Sequence, residues 1–236
     1  MGSDSPFVFK QFTVEQNHST MKVGTDAVLL GALANQPMPS KILDIGTGTG
    51  VIALMLAQRF VYAQIEGVEI DFATALEARK NFANSPFNAR MKLYHLAIQD
   101  FHPTAEYDLI VSNPPYFVNA LKNDCTKKQL ARHTDVFFYS QLLKKIAQLL
   151  TNDGSSWLVL PVQHALLLIK EASVYGLYPQ HRLFIKHVPN KMPKRLIFSL
   201  TKKCTDVRQE EWCIRENDHS YAPNYRDLMR QFLLID

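Results

Sequence analysis

The sequence predicts an α/β fold: a doubly wound, mostly parallel sheet with helices on both faces and an antiparallel edge. Three observations predict it. From Lys41 to Val174, apolar runs of strand length alternate with longer segments of helical periodicity. The first strand-to-helix junction is a run rich in glycine, Gly46 to Gly50. From Tyr178 the pattern changes to strand-like runs that follow one another, as expected for additions at one sheet edge.

The elements follow in order. Residues 1–20 read as irregular, with aromatics at Phe7, Phe9 and Phe12. Thr25 and Asp26 are candidate caps for a helix running through Leu29, Leu30 and Leu33. Lys41 to Ile45 is a short buried strand, and Val51 to Arg59 the helix beyond the glycines. Ile65 to Ile70 and Phe72 to Asn84 form the next strand and helix, and Met91 to Ala97 and Tyr107 to Ser112 two further strands. Val136 to Leu150 is an amphipathic helix, with Leu142, Leu143, Ile146, Leu149 and Leu150 on one side. Trp157 to Leu160 is a strand and Gln163 to Val174 a helix. His181 to Lys186, Arg195 to Lys202 and Glu211 to Arg215 read as strands, and a short helix follows Asn224. The 236 residues are expected to form a single domain: residues 1–40 an N-terminal segment, 41–175 the core, and 176–236 a strand-rich basic tail.

Composition narrows the class. Hydrophobic residues make up 47% and charged residues 20%, the balance of a soluble globular chain. No apolar run is long enough to cross a bilayer, and the first residues carry neither a signal pattern nor a myristoylation site. The 3 cysteines form no close pair, so neither a metal site nor a disulfide framework is expected, and a reducing cytoplasm fits. Oligomeric state is not encoded in these features; a monomer is the expectation. Net charge is only +4, but it is unevenly spread. Between Arg182 and Arg208 stand Lys186, Lys191, Lys194, Arg195, Lys202 and Lys203, with Asp206 the one acid. Lys127, Lys128, Arg132 and His133 form a smaller group. Such groups suit phosphates, and equally a solvated face.

Asp44-Ile45-Gly46-Thr47-Gly48-Thr49-Gly50 joins a strand to a helix. Glycine here lets the backbone turn tightly and come close to a ligand. Dinucleotide folds use G-x-G-x-x-G, but here the third glycine comes one residue early, and the Gly-Lys-Ser/Thr of a phosphate loop is absent. Glu69 ends the next strand, where a carboxylate can accept hydrogen bonds from ribose hydroxyls. Asp71 competes for that role or caps the following helix. Asp100, after the third strand, is placed to accept from an adenine amino group. The loop therefore reads as a nucleoside site with no pyrophosphate to hold.

Asn113-Pro114-Pro115-Tyr116 follows the strand from Tyr107. Two successive prolines hold the chain in a stiff extended turn. The turn is flanked by an amide that both donates and accepts and by a flat ring, an arrangement suited to a planar molecule carrying an NH2 group.

Asp44 to Gly50 with Glu69 resembles the cofactor motif of class I S-adenosylmethionine methyltransferases. That resemblance implies a Rossmann-like sheet in which the first and fourth core strands are neighbours. It implies S-adenosylmethionine as cofactor, held by Asp44, Gly46, Gly48, Gly50, Glu69 and Asp100. It also implies that Asn-Pro-Pro-Tyr serves methylation of a planar nitrogen, with Asn113, Pro114 and Tyr116 catalytic. The segments Phe9 to Phe12, Met21 to Ala27, Leu29 to Gly31, Asn113 to Phe117 and Ala131 to His133 narrow this further. They resemble the bacterial tRNA(Val) (adenine-37-N6)-methyltransferase family, through most of the chain as far as Arg195 to Ile197. From Cys204 onward only Tyr225 and Leu228 match.

On that resemblance tRNA is the expected partner and an anticodon-loop adenine the target. Lys22 and Thr25 fall in the family's cofactor segment, while Asp26 either caps its helix or joins them. Pro115, Phe117, Arg132 and His133 are candidates near the base, Phe117 and His133 having structural readings as well. Lys191, Lys194 and Arg195 are candidates for phosphates. Protein-glutamine methyltransferases share Asn-Pro-Pro-Tyr but carry a helical domain first, and only residues 1–43 precede Asp44 here. Other RNA or DNA amino-methyltransferases bring a second domain or a recognition insertion, and neither is evident.

Overall fold

Apolar residues stand at consecutive positions along the central strands, so both faces of their sheet must be covered. Ile42 and Leu43, Leu109 and Ile110, and Leu158 and Val159 are each buried to within 1% of complete, pointing alternately into two separate apolar layers. The computed structural model describes residues 5–17, 22–115 and 125–234, with the backbone alone over 125–136.

Its elements in chain order are β1 (Phe7–Val8), β2 (Thr13–Val14), α1 (Thr25–Leu33), β3 (Lys41–Ile45), α2 (Val51–Arg59), β4 (Gln64–Glu69), α3 (Phe72–Ala83) and β5 (Met91–His95). Then come β6 (Tyr107–Ser112), α4 (Cys125–Leu149), β7 (Leu150–Pro161), α5 (Val162–Ala172), β8 (Tyr178–Lys186), β9 (Arg195–Thr201), β10 (Arg208–Cys213) and α6 (Pro223–Met229). Among the described residues the main sheet has 8 strands in the order β10-β8-β9-β7-β6-β3-β4-β5. Helices α1, α2 and α6 cover one layer and α4 and α5 the other. The expected apolar stripe of α4, Leu142, Leu143, Ile146 and Leu149, is buried in the second layer.

Strand β3 pairs in parallel with both β4 and β6, so the order reverses at β3. That switch point opens a crevice at the carboxyl ends of β3, β4 and β6, the place such sheets use for ligands. The expected neighbour relation of the first and fourth core strands is thus present.

Beyond the parallel core, β9 runs against β7 and β8, the expected antiparallel addition, and β10 pairs with β8 in parallel. Three expectations need correction. Residues 1–20 are not wholly irregular, because β1 and β2 pair as an antiparallel ribbon. Strand β7 begins at Leu150 rather than Trp157. Its register jumps from Tyr107↔Leu150 to Leu109↔Ser155, so polar residues 151–154 form a bulge that hides the strand's start from a hydrophobicity reading. Finally, neither Thr25 nor Asp26 caps α1; Gly24 holds that position without a side-chain bond, and Asp26 turns instead to Arg195.

Candidate active site

The glycine loop leaves β3 and is tied to the neighbouring strand by backbone first. The N–H groups of Gly46 and Thr47 both donate to the Val68 carbonyl, at 2.9 and 3.0 Å. Gly46, Gly48 and Gly50 have φ of 68°, 58° and 85°, the left-handed region where a side chain is strained. At Gly46 and Gly48 an added Cβ would meet no atom of the described residues within 4 Å. The loop therefore presents bare backbone to open space, which is the shape of a cradle. Gly50 differs: a Cβ there would lie 2.5 Å from the Phe82 ring, so this glycine serves the packing of α2 against α3.

Two carboxylates hold the loop. Asp44, the fourth residue of β3, is fully buried and accepts from the Thr47 hydroxyl at 2.6 Å through Oδ2. Its Oδ1 is buried with no hydrogen-bond partner among the described residues. Burial raises its pKa to about 7, with the Thr47 hydroxyl and the facing Ala53 amide offsetting part of the rise. Glu69 closes β4 and is nearly buried. Its Oε2 accepts from Gly48 N–H at 3.0 Å, and its Oε1 from Ile70 and Asp71 N–H, both at 2.9 Å. These bonds aim the carboxylate over the loop. Asp71 caps α3, accepting from Thr74 N–H at 2.9 Å, which resolves its two readings toward the helix cap.

Across the crevice, β6 ends at Ser112, whose hydroxyl donates to the Ile45 carbonyl at 2.8 Å. That bond fastens the end of β6 to the end of β3. Asn113 follows immediately, half-buried, and its Oδ1 is a second buried acceptor without a donor among the described residues. Pro114 is buried and Pro115 exposed. Tyr116 and Phe117 lie outside the described residues, and Arg132 and His133 fall on α4 where the backbone alone is described.

The structure brings Asp44, Gly46, Gly48, Gly50, Glu69 and Asn113 to one end of three adjacent strands. Asp100 is at the same rim, exposed in the short 3-10 turn after β5. Beside it, Lys145 of α4 donates to the Phe101 carbonyl at 2.8 Å. Lys22 and Thr25 are exposed at the start of α1.

The basic trio divides. Lys191 and Lys194 are exposed on the β8–β9 loop. Arg195 opens β9 and donates from Nε to Asp26 at 2.6 Å, bracing α1. Sequence reasoning missed that brace, and it missed Asn81 of α3, which binds the loop at Thr49; neither pair is close in sequence, so no local pattern signals it. No helix among the described residues is long and apolar enough to cross a membrane.

An acceptor-lined cradle of open backbone beside an unsatisfied amide oxygen fits a ligand carrying cationic or N–H donors. Comparison with known proteins agrees in kind. Residues 17–166 match the family model described as the methyltransferase small domain. Over 97% of both chains, the sequence is 46% identical to a Pedobacter heparinus protein named tRNA1(Val) (adenine(37)-N6)-methyltransferase. A Tolumonas auensis protein of the same name is 40% identical over 99% of this chain and 98% of its own. Among solved structures, the Agrobacterium tumefaciens protein Atu636, a predicted O-methyltransferase, superposes with a TM-score of 0.64 at 18% identity. That match covers 86% of this chain and 95% of the other, and it shows a shared fold.

Proposed function

This chain belongs to the methyltransferase small-domain family, and from that premise we propose that it methylates N6 of an adenine in tRNA, A37 of tRNA1(Val), using S-adenosylmethionine. The observation that carries the reading is the Asn113 Oδ1: a buried acceptor with no donor among the described residues, at the end of the strand beside the glycine cradle. A buried oxygen left so is costly unless something arrives to use it.

S-adenosylmethionine supplies an electrophilic methyl group on a sulfonium centre. The residues that fit it are the bare backbone of Gly46 and Gly48, the remaining lone pair on Glu69 Oε2 for a ribose hydroxyl, and Asp100 for the adenine amino group. Lys22 and Thr25, exposed at the start of α1, are the further candidates for the cofactor. Asp44 holds the loop through Thr47.

On the substrate side, an exocyclic amine is a weak nucleophile because its lone pair is delocalised into the ring. Asn113 Oδ1 accepts one of its protons and the Pro114 carbonyl the other. Both bonds strengthen as positive charge grows on nitrogen, so they stabilise the transition state more than the ground state. Tyr116 stacks on the base and Pro115 and Phe117 border it. Ser112 keeps Asn113 in place through its bond to Ile45, which spares the amide a search for its geometry. Arg132 and His133 contact the nucleotide from α4, and Lys191 and Lys194 hold phosphates.

The test is transfer of labelled methyl to RNA and, in parallel, to protein from cells lacking this protein, followed by nucleoside and amino-acid mass spectrometry. N6-methyladenosine in tRNA1(Val) is expected. Asn113→Ala should lower kcat by about a hundredfold or more while leaving cofactor affinity intact. Label in glutamine of protein, or full activity of Asn113→Ala, would overturn the reading.

A further inference from the structure

The glycine loop has one tether that leads away from the sheet. Gly46, Thr47 and Gly48 are held by Val68 and Glu69, all within β4. Thr49 is held by Asn81, a residue of α3 only 2% exposed, whose Nδ2 donates to the Thr49 carbonyl at 2.9 Å. The same amide serves the N-terminal segment. Asn81 Nδ2 donates to the Glu15 carbonyl and Oδ1 accepts from Glu15 N–H, both at 2.9 Å. The side-chain amide thus exchanges two bonds with one backbone residue, as a neighbouring strand would.

One turn earlier on α3, Glu77, 3% exposed, accepts from Asn17 N–H at 2.6 Å. Between them, Gln16 is buried; its Oε1 accepts from Val23 N–H at 2.9 Å and its Nε2 donates to the Ser5 carbonyl at 3.2 Å. Phe9, Phe12 and Val14 pack into the core layer beneath. Residues 15–17 are therefore bonded to α3 on one side and to the approach to Lys22 and Thr25 on the other.

We propose that Asn81 is a positioning residue for the cofactor cradle, its buried amide making the seating of residues Glu15–Asn17 on α3 and the geometry of the Thr49–Gly50 peptide one linked equilibrium. The physical reason lies in that peptide. Its carbonyl is committed to Asn81 and its N–H to the Thr47 carbonyl at 2.9 Å, and Gly50 then turns with φ 85° into α2. Loss of the Asn81 donor frees the peptide to rotate, which would move Gly48 and Thr49 against a ligand. Coupling of this kind is reciprocal: if seating residues 15–17 tightens the cradle, a ligand in the cradle must steady residues 15–17 by the same factor. The inference rests on the cofactor reading above.

The probe is S-adenosylhomocysteine, titrated calorimetrically against the full chain, with amide hydrogen exchange followed at Glu15, Asn17 and Val23. Two variants break the link from opposite sides. Asn81→Ala removes the amide, and Glu15→Pro removes one N–H of an exposed residue while leaving α3 and the loop untouched. Each should raise the dissociation constant about tenfold, with the donor KM rising while kcat stays within about threefold. The double variant should bind no worse than Asn81→Ala alone, because both remove one tether. In the wild type the probe should slow exchange at the Glu15 and Asn17 amides. Glu15→Pro with wild-type affinity, or additive effects in the double variant, would overturn the coupling even if Asn81→Ala failed to fold. Absence of probe binding by the wild-type chain would remove the cofactor reading and the inference with it.

Discussion

Asp44 and Asn113 each keep a buried oxygen without a hydrogen-bond partner among the described residues, and the two are unsatisfied for different reasons. Asn113 is neutral, so its cost is the loss of one hydrogen bond. Asp44 is ionisable, and it meets the cost of burial by holding its proton up to about pH 7. The consequence for stability has a definite sign. The folded pKa stands above the ordinary value of 3.8, so the native state takes up a proton that the unfolded chain has released. Stability from this group is fully present below pH 3.8, declines as pH rises, and is lost once pH passes about 7. Asp44→Asn is neutral at every pH and keeps an acceptor for Thr47. Its melting temperature should exceed that of the wild type by about 5 °C at pH 8 and by less at pH 5, measured without ligand by calorimetry. A constant difference across that range would show that Asp44 does not titrate there. Above about pH 7, where the wild-type carboxylate is charged, cofactor affinity should also fall in the same variant.

At the scale of elements, the glycine loop contains two kinds of glycine that look alike in sequence. Gly48 and Gly50 both have left-handed backbone, so alanine at either costs about 1 kcal/mol from conformation alone. At Gly48 the added methyl meets no atom of the described residues within 4 Å; at Gly50 it meets the buried Phe82 ring at 2.5 Å. Gly48→Ala should therefore lower the melting temperature by only about 2–4 °C while abolishing cofactor binding. Gly50→Ala should lower it by roughly three times as much, because overpacking adds about 1–3 kcal/mol to the strain. Calorimetric melting with ligand titration separates the two, and equal melting temperatures would show that Phe82 yields freely. The loop's type and position were legible in the sequence, as were the strands that flank it, because apolar runs bounded by glycine leave few alternatives. The division of labour was not, since Phe82 lies 32 positions beyond Gly50. The same distance in sequence hid the Asn81 bonds and the Arg195–Asp26 pair. Edge elements were hard to read for another reason: β10 is six residues of mixed polarity, Arg208–Cys213, and half-exposed strands lack the apolar run that marks β3 or β6.

Across the whole molecule, the strand order decides which surfaces stand beside the cradle. Strands β6, β7 and β8 run in one direction, so the end of β8 and the loop after it lie on the same rim as Asn113. From β6 to β8 the order passes through β7 and β9, three strand spacings, or about 14 Å. Lys191 and Lys194 stand exposed on that loop, and no acid falls between Lys186 and Arg195. A nucleic acid presenting a base at Asn113 would pass its backbone along this rim. Arg195, by contrast, is engaged with Asp26, so its substitution would disturb α1 rather than test a phosphate contact. The informative variant is Lys191→Ala with Lys194→Ala. If both lysines neutralise phosphates, the slope of log affinity for tRNA against log salt should fall in magnitude by about two, and affinity at low salt should drop without a change in which nucleoside is methylated. Binding measured by filter retention from about 50 to 200 mM salt gives the slope directly. An unchanged slope would make the loop a solvated face and leave Lys127, Lys128 and Arg132 in the sequence of α4 as the next candidates for the phosphate contacts.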